Sequence, residues 1–414
     1  MEDPSKEEIS QVLKILEALK QASHELQAHP THRNSAESNS PAIKALLELE
    51  TESETILSKD PHLSTLSHNL AELKNIVETL HKSRGHHSIK SFLTRRVSTQ
   101  SISRVAGSIE SEIQAWIDRE SIDSLTKALT RALKEDNFVE NEDEIVNLLT
   151  QLESRVLQGF NRELQDLVLK AKVFSLLEMV LCNPNCLKRT REHCAFTIAA
   201  LIKFNKDVFV GQVLMKSTIH ALLTMASSHS MNVLCTLIKS IKSPFVDEIE
   251  SNGEIPKIIS LLDAKEVEMK ILAMNCILEI GYFGRKEAIE AMFKEGLIKK
   301  LVELQRSELG GDLIDLGRFD EDENENENEN GREVTVVGLV VEGRRGRRER
   351  RFLESHPFAS CVARFAVQLE VGEGLRQREK RAFKQEILVR VREECTSDAE
   401  SATIIAEVLW GSSP

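Results

Sequence analysis

The sequence predicts an all-α chain: a helical bundle over residues 1–160, then a solenoid of stacked helical repeats over residues 165–414. Three observations predict it. Aromatics are only 4% of the residues, with one Tyr and two Trp, while Leu, Ile and Glu dominate, a balance that favours helix over sheet. Apolar residues recur at helical rather than alternating spacing. In the second half one apolar pattern returns at steps of ~40 residues.

That pattern is clearest in SNGEIPKIISLLDAKEVEMKILAMNCILEIG, from Ser251. Ile255, Ile258, Ile259, Leu261 and Leu262 form one apolar stripe. Ile298, Leu301, Val302 and Leu304 form another, as do Ile219, Leu222, Leu223, Met225 and Ala226, and Val173, Leu176, Leu177, Met179 and Val180. A second apolar helix follows the earlier copies: CAFTIAALIKF, MNVLCTLIKSI and VEMKILAMNCILEI. The shortest step, from Ile219 to Ile255, predicts a trimmed loop or a shortened first helix near PFVDEIES. Pro256 stands at a helix start, where the first N–H groups have no intrahelical partner. Gly253 frees the chain to turn out of the preceding helix, and Gly296 repeats that role without the proline.

This G-x-I-P pattern followed by an apolar stripe resembles the armadillo repeat. The resemblance implies units of two or three helices stacked into a superhelix. The alternative is a bundle of unrelated amphipathic helices.

In the N-terminal part, Ile9, Val12, Leu13, Leu16 and Leu19 share one helical face. NSAESNSPAIKALLELE supplies a polar loop and a helix start, HLSTLSHNLAELKNIVETL a third helix, and IESEIQAWIDRESIDSLTKALTRALK a fourth and fifth. The run SRGHHSIKSFLTRRVSTQSISRVAGSIESEIQAWIDRE resembles the helical domain that precedes the U-box in plant U-box/armadillo proteins. A U-box needs dozens of residues between bundle and repeats; here KEDNFVENEDEIVNLLTQLESRVLQGF leads straight to the array. The ligase activity that the resemblance implies is therefore not expected of this chain. RRVST, Arg95 to Thr99, is expected in a polar loop, where two Arg before Ser98 make that serine a candidate phosphosite and a plain solvated loop the alternative.

Farther on, FDEDENENENEN is acidic and nearly free of apolar residues, which predicts a disordered insert at about 318–333 inside the array. VTVVGLVV, from Val334 to Val341, fits a short strand or a helix. GRRGRRERR then brings Arg344, Arg345, Arg347, Arg348, Arg350 and Arg351 together. They are a candidate import signal or patch for an acidic partner; otherwise they are a solvated helix entrance paired with the acidic run. HPFASCVARFAVQLEVGEGLRQREKRA strongly resembles the end of a group of plant armadillo-repeat proteins. Ser397 with Glu400 three residues later has the spacing of a capping box, opening the last helix.

The net charge of −12 does not favour general nucleic-acid binding, which needs excess Lys and Arg. MEDPSKEEIS has no basic segment leading into an apolar core, so no secretory leader is expected. No apolar run approaches the ~20 residues that cross a bilayer. Cytoplasmic or nuclear residence and reduced thiols follow as expectations for the seven scattered cysteines. Cys182, Cys186, His193 and Cys194 cluster without the C-x-x-C pairs of a zinc site, so no metal is expected. Phosphate loops, nucleophile elbows and metal-binding His pairs are missing, and no enzyme and no cofactor are expected. What remains is a scaffold that binds other proteins, or a component of ubiquitin signalling without its own ligase module. Nuclear-import cargo binders of the armadillo class carry Trp and then Asn four residues later on third helices. The positions here are Phe196 with Ala200 and Asn275 with Glu279, so that mode is not expected.

Overall fold

Heptad-like apolar spacing makes helices of nearly every described segment. The computed structural model describes Leu16, Lys20, Gln21 and residues 64–82, 89–135, 142–215, 217–310 and 355–410. Among these residues there are helices and short 3-10 turns, and no strand.

Two helices open the described chain, α1 (Ser64–Lys82) and α2 (Ile89–Glu135). Leu66, Leu70 and Leu73 of α1 are buried, as are Ile102, Val105, Ala106, Ile109 and Ile113 of α2. Asn69 Nδ2 donates to Ser108 Oγ at 3.1 Å across them. Lys20 bonds Gln114 of α2. Two expectations are corrected by α2. The stretch expected as a fourth and fifth helix is one unbroken helix of 47 residues. RRVST lies within that helix and not in a polar loop. The physical reason is common to both. No proline interrupts 89–135, and a buried stripe continuing through Trp116, Ile122, Leu125 and Leu129 carries the helix past RESIDS.

Next come α3 (Glu142–Leu157), α4 (Arg162–Lys170), α5 (Val173–Cys182), α6 (Lys188–Phe204), α7 (Lys206–Leu214), α8 (Thr218–Met225) and α9 (Ser228–Ile241). They are followed by α10 (Ser243–Ser251), α11 (Ile255–Ser260), α12 (Val267–Phe283), α13 (Lys286–Lys294) and α14 (Leu297–Arg306). The chain ends in α15 (Cys361–Val371), α16 (Gln377–Glu394) and α17 (Asp398–Trp410). The chain falls into two compact units, residues 1–131 with 161–173, and residues 132–160 with 174–414. Helix α3, expected in the bundle, packs on α6 within the second unit.

Within that unit three helices recur: a short first helix (α7, α10, α13), a second (α5, α8, α11, α14) and a third (α6, α9, α12, α15). Each third helix packs on the next, α6 on α9, α9 on α12 and α12 on α15. This three-helix stacking is an armadillo-type α-solenoid. The repeated apolar stripes are the second helices, whose Ile219, Leu222, Ile258, Ile259, Leu301 and Val302 are buried. The turn into them needs a left-handed residue, Gly253 at φ +67° and Gly296 at φ +73°, while Lys172 takes φ +53° before α5. Pro256 sits in the first turn of α11 and Pro244 in that of α10. The short step has half its expected cause. The first helices α7, α10 and α13 are all nine residues long, so none is shortened. Instead the α8–α9 loop shrinks to Ala226 and Ser227, with Ala226 at φ +44°, and α9 has 14 residues where α6 has 17.

Residues 311–354 fall between α14 and α15, where the other units carry their loop from second to third helix. The acidic run, VTVVGLVV and Arg344, Arg345, Arg347, Arg348, Arg350 and Arg351 all lie outside the described residues. The two ends meet: Phe358 N–H donates to Leu309 O at 3.2 Å.

Helices α16 and α17 close the stack, α16 on α14 and α15, α17 on α15 and α16. Ser397 Oγ accepts the Glu400 N–H at 3.2 Å, the expected cap. The Glu400 carboxylate accepts from Thr396 N–H at 2.9 Å and from Arg306 at 2.8 and 3.1 Å through both its oxygens. The Arg306 hydrogen bonds above all hold Glu400 down at about 2, below the ordinary 4.5. A depressed carboxylate stabilises the fold above its unfolded value and ceases to as pH falls through its folded one. In urea titrations, lowering pH from about 5 to about 2.5 is therefore expected to cost the wild type more stability than Glu400→Gln. Equal losses would remove Glu400 from the acid response.

Candidate functional site

The third helices stack one on the next along the repeats, and their outward side chains come at one rung per unit. Between α6 and α9, Phe196 stands edge-on to His193 at 6.2 Å and to His229 at 5.6 Å between ring centroids. His229 Nδ1 lies 3.5 Å from Glu192 Oε2. The Nδ1 of His193 is buried with no hydrogen-bond partner. Phe196 itself is half-buried, offering part of its ring to solvent.

Asn232 on α9 is exposed, and Thr236 one turn later is half-buried. Lys239 Nζ reaches Glu279 Oε1 on α12 at 3.3 Å. Asn275 and Leu278 on α12 and Val367 and Gln368 on α15 are half-buried. The rungs thus alternate aromatic, amide, ion-pair and aliphatic character. Such a mixture suits contact with another polypeptide better than contact with a phosphate backbone.

At the end of the stack, Ser360 Oγ and Gln305 Nε2 donate to Glu407 at 3.0 and 2.9 Å, tying the start of α15 and α14 to α17. Burial pushes the Glu407 carboxyl up, against those two hydrogen bonds. An open cleft of about 580 Å³ lies between α16 and α17, lined by Arg392, Ser397, Asp398 and Ser401 among others.

The positions compared with cargo-binding third helices are where the repeat register puts them. Phe196 is half-buried and Ala200 buried on α6, and Asn275 and Glu279 are half-buried on α12. No Trp–Asn pair occupies either. Cys186 and Cys194 are buried, with Cys182 half-buried, and burial pushes the Cys194 thiol far up. Among the described residues no group of three or more His, Cys, Asp or Glu is placed to hold a metal ion. Ser98 is in the backbone of α2, with its side chain outside the described residues. No single described helix is long and apolar enough to cross a membrane; α7 and α8 together are apolar but bent by 73°.

Two features escaped the sequence. Cys235 and Cys276 meet across α9 and α12, and the sole available signal was a cysteine in each of two adjacent third helices. GEG at 372–374 is a contact between corners of the stack, where Glu373 N–H donates to Tyr282 O at 2.8 Å.

Fold and face together define a helical-repeat protein of armadillo type. The solved structures it is similar to include a designed armadillo repeat protein in complex with a (KR)4 peptide, 13% identical, covering 69% of this chain and 98% of that one at a TM-score of 0.39. An engineered protein is 15% identical over 69% and 97% at 0.40, and another designed armadillo repeat protein 12% identical over 69% and 99% at 0.34. No family model and no curated protein matches the sequence.

Proposed function

We propose that this chain is a protein-interaction scaffold that holds segments of partner proteins along its third-helix face. The observation that supports it is the strip from Phe196 through Asn232, Asn275 and Val367. These side chains stay half-buried or exposed although the helices beneath them pack tightly. Stacked repeats of this kind offer extended surfaces by construction. On this reading the chain binds and does no chemistry of its own.

A partner captured from a lysate and purified supplies the test. Phe196→Ala combined with Asn275→Ala is expected to weaken its binding by about tenfold or more, since half-buried aromatics anchor interfaces. Met215→Ala, at the exposed turn between α7 and α8, is expected to leave binding unchanged. The same loss in both, or in neither, would contradict the assignment of the face.

The run Arg344, Arg345, Arg347, Arg348, Arg350 and Arg351 fits a nuclear-import segment or a contact for an acidic partner. Deleting residues 343–351 from a fluorescent fusion is expected to lower its nuclear fraction. Unchanged nuclear accumulation would dispose of the import role, and unchanged partner binding of the contact role. Cytoplasmic or nuclear residence belongs to the same proposal.

A further inference from the structure

We infer that Cys235 and Cys276 form an oxidation site, a dithiol that hydrogen peroxide converts into a disulfide joining α9 to α12. The two residues sit on the neighbouring third helices of two successive units, helices that pack directly on each other. Cys276 Sγ donates to the Met231 carbonyl at 3.7 Å. In an α-helix that same carbonyl receives the N–H of the residue four later, which is Cys235. The Cys276 sulfur therefore lies against the turn of α9 that carries Cys235, and the two thiols are close enough to shift each other's ionisation.

The pair is asymmetric in the way a stepwise oxidation needs. Cys235 keeps 6% of its surface open, whereas Cys276 has none. The neighbouring Cys276 thiol, aided by the Lys239 ammonium and opposed by burial, holds the Cys235 thiol below its usual range. The Cys235 neighbour, with burial, holds Cys276 well above. Cys235 is thus the thiolate that meets the oxidant, and Cys276 the thiol that resolves the product.

The chemistry balances without a further reagent. The Cys235 thiolate attacks one peroxide oxygen, giving a sulfenic acid and hydroxide, which takes up the proton lost from the thiol to become water. Cys276 then attacks the Cys235 sulfur, loses its proton and expels a second water. Two thiols and one peroxide become one disulfide and two waters. A dithiol reductant reverses it by exchange. The bond would fix α9 against α12 directly beneath Asn232, Lys239 and Asn275. The oxidation state of the pair would then set how freely two units of the face move.

The test uses the full chain, reduced, desalted and treated with a small excess of hydrogen peroxide. Peptide mapping without reductant is expected to show one linked pair holding Cys235 and Cys276, and intact mass a loss of about 2 Da. Before oxidation, Cys235 is expected to react with iodoacetamide at least ~tenfold faster than Cys194 or Cys361. Burial pushes the Cys361 thiol up to about 12, which makes it an internal control. Cys276→Ser is expected to leave Cys235 as a sulfenic acid that dimedone traps, and Cys235→Ser to yield neither product. The inference is overturned if wild-type Cys235 goes on to sulfinic acid with Cys276 still free, or if the linked pair contains any other cysteine. Should either serine variant fail to fold by circular dichroism, the wild-type map and alkylation rates decide alone.

Discussion

Gly374→Ala is expected to destabilise the chain by about 3 kcal/mol, read as a lowered unfolding midpoint. The corner between α12 and α13 and the corner between α15 and α16 touch backbone to backbone. A Cβ on Gly374 would stand 2.1 Å from the Gly284 carbonyl oxygen, and one on Gly372 2.4 Å from that of Tyr282. Neither obstacle is the end of a flexible side chain, so a corner must move. Movement breaks the bonds from Glu373 and Gly374 N–H to Tyr282 O, at 2.8 and 3.2 Å. It also parts Lys242 from Glu373, paired at 3.0 Å, but that exposed pair adds little. Glu373→Ala is the control: it deletes the ion pair, leaves both glycines, and is expected to cost well under 1 kcal/mol. A Gly374→Ala protein with an unchanged midpoint would mean the corners are not in contact.

The largest single loss is expected from Phe293→Ala, at about 3–5 kcal/mol. Phe293 is 2% exposed and joins three helices at once. Its ring meets Phe383 of α16 edge-on at 5.6 Å and Phe365 of α15 at 6.4 Å. The Arg390 guanidinium lies 5.1 Å over the ring, and its Nη1 donates to the Phe293 carbonyl at 2.8 Å. Removing the ring opens a cavity between α13, α15 and α16 and strips Arg390 of its ring contact, leaving it bonded to the Phe293 carbonyl and to Glu386. Phe293→Leu keeps most of the volume and is expected to lose clearly less, which separates cavity from charge. Denaturant midpoints for the two variants measure this directly.

How much of this was legible depended on the range of the interaction. The second helices were readable because each carries a dense apolar stripe. The copies found at Val173, Ile219, Ile255 and Ile298 coincide within a residue with the starts of α5, α8, α11 and α14. The glycines before two of them were readable because a positive φ is a local demand. The cap at Ser397 was readable because capping is a contact across three residues. The first helices were not, since their apolar stripes are sparser: α7 buries only Phe209 and Val213, and α10 only Phe245, Val246 and Ile249. The continuity of α2 was missed because Ser121, Asp123 and Ser124 look like a break, while the buried stripe that bridges them is set by packing. GEG looked like an ordinary connection because its partner, the Tyr282–Gly284 corner, is remote in sequence.

The same distinction holds for the face. Phe196 and Asn275 could be aligned from the sequence, but the edge-on pair of Phe196 with His229 and the ion pair of Lys239 with Glu279 arise from the stagger of neighbouring helices. That stagger has no sequence period. Cys235 and Cys276 were legible only as scattered thiols, for the same reason.

The measurement that bears most directly on the scaffold reading is site-specific photo-crosslinking in cells. A benzophenone side chain is introduced at Asn232, on the third-helix face, or at Met215, on the exposed turn between α7 and α8, in otherwise identical chains. The account predicts discrete adducts with other polypeptides from position 232, and none of them from position 215. Adducts that are equal at both positions, or that come from 215 alone, would contradict it.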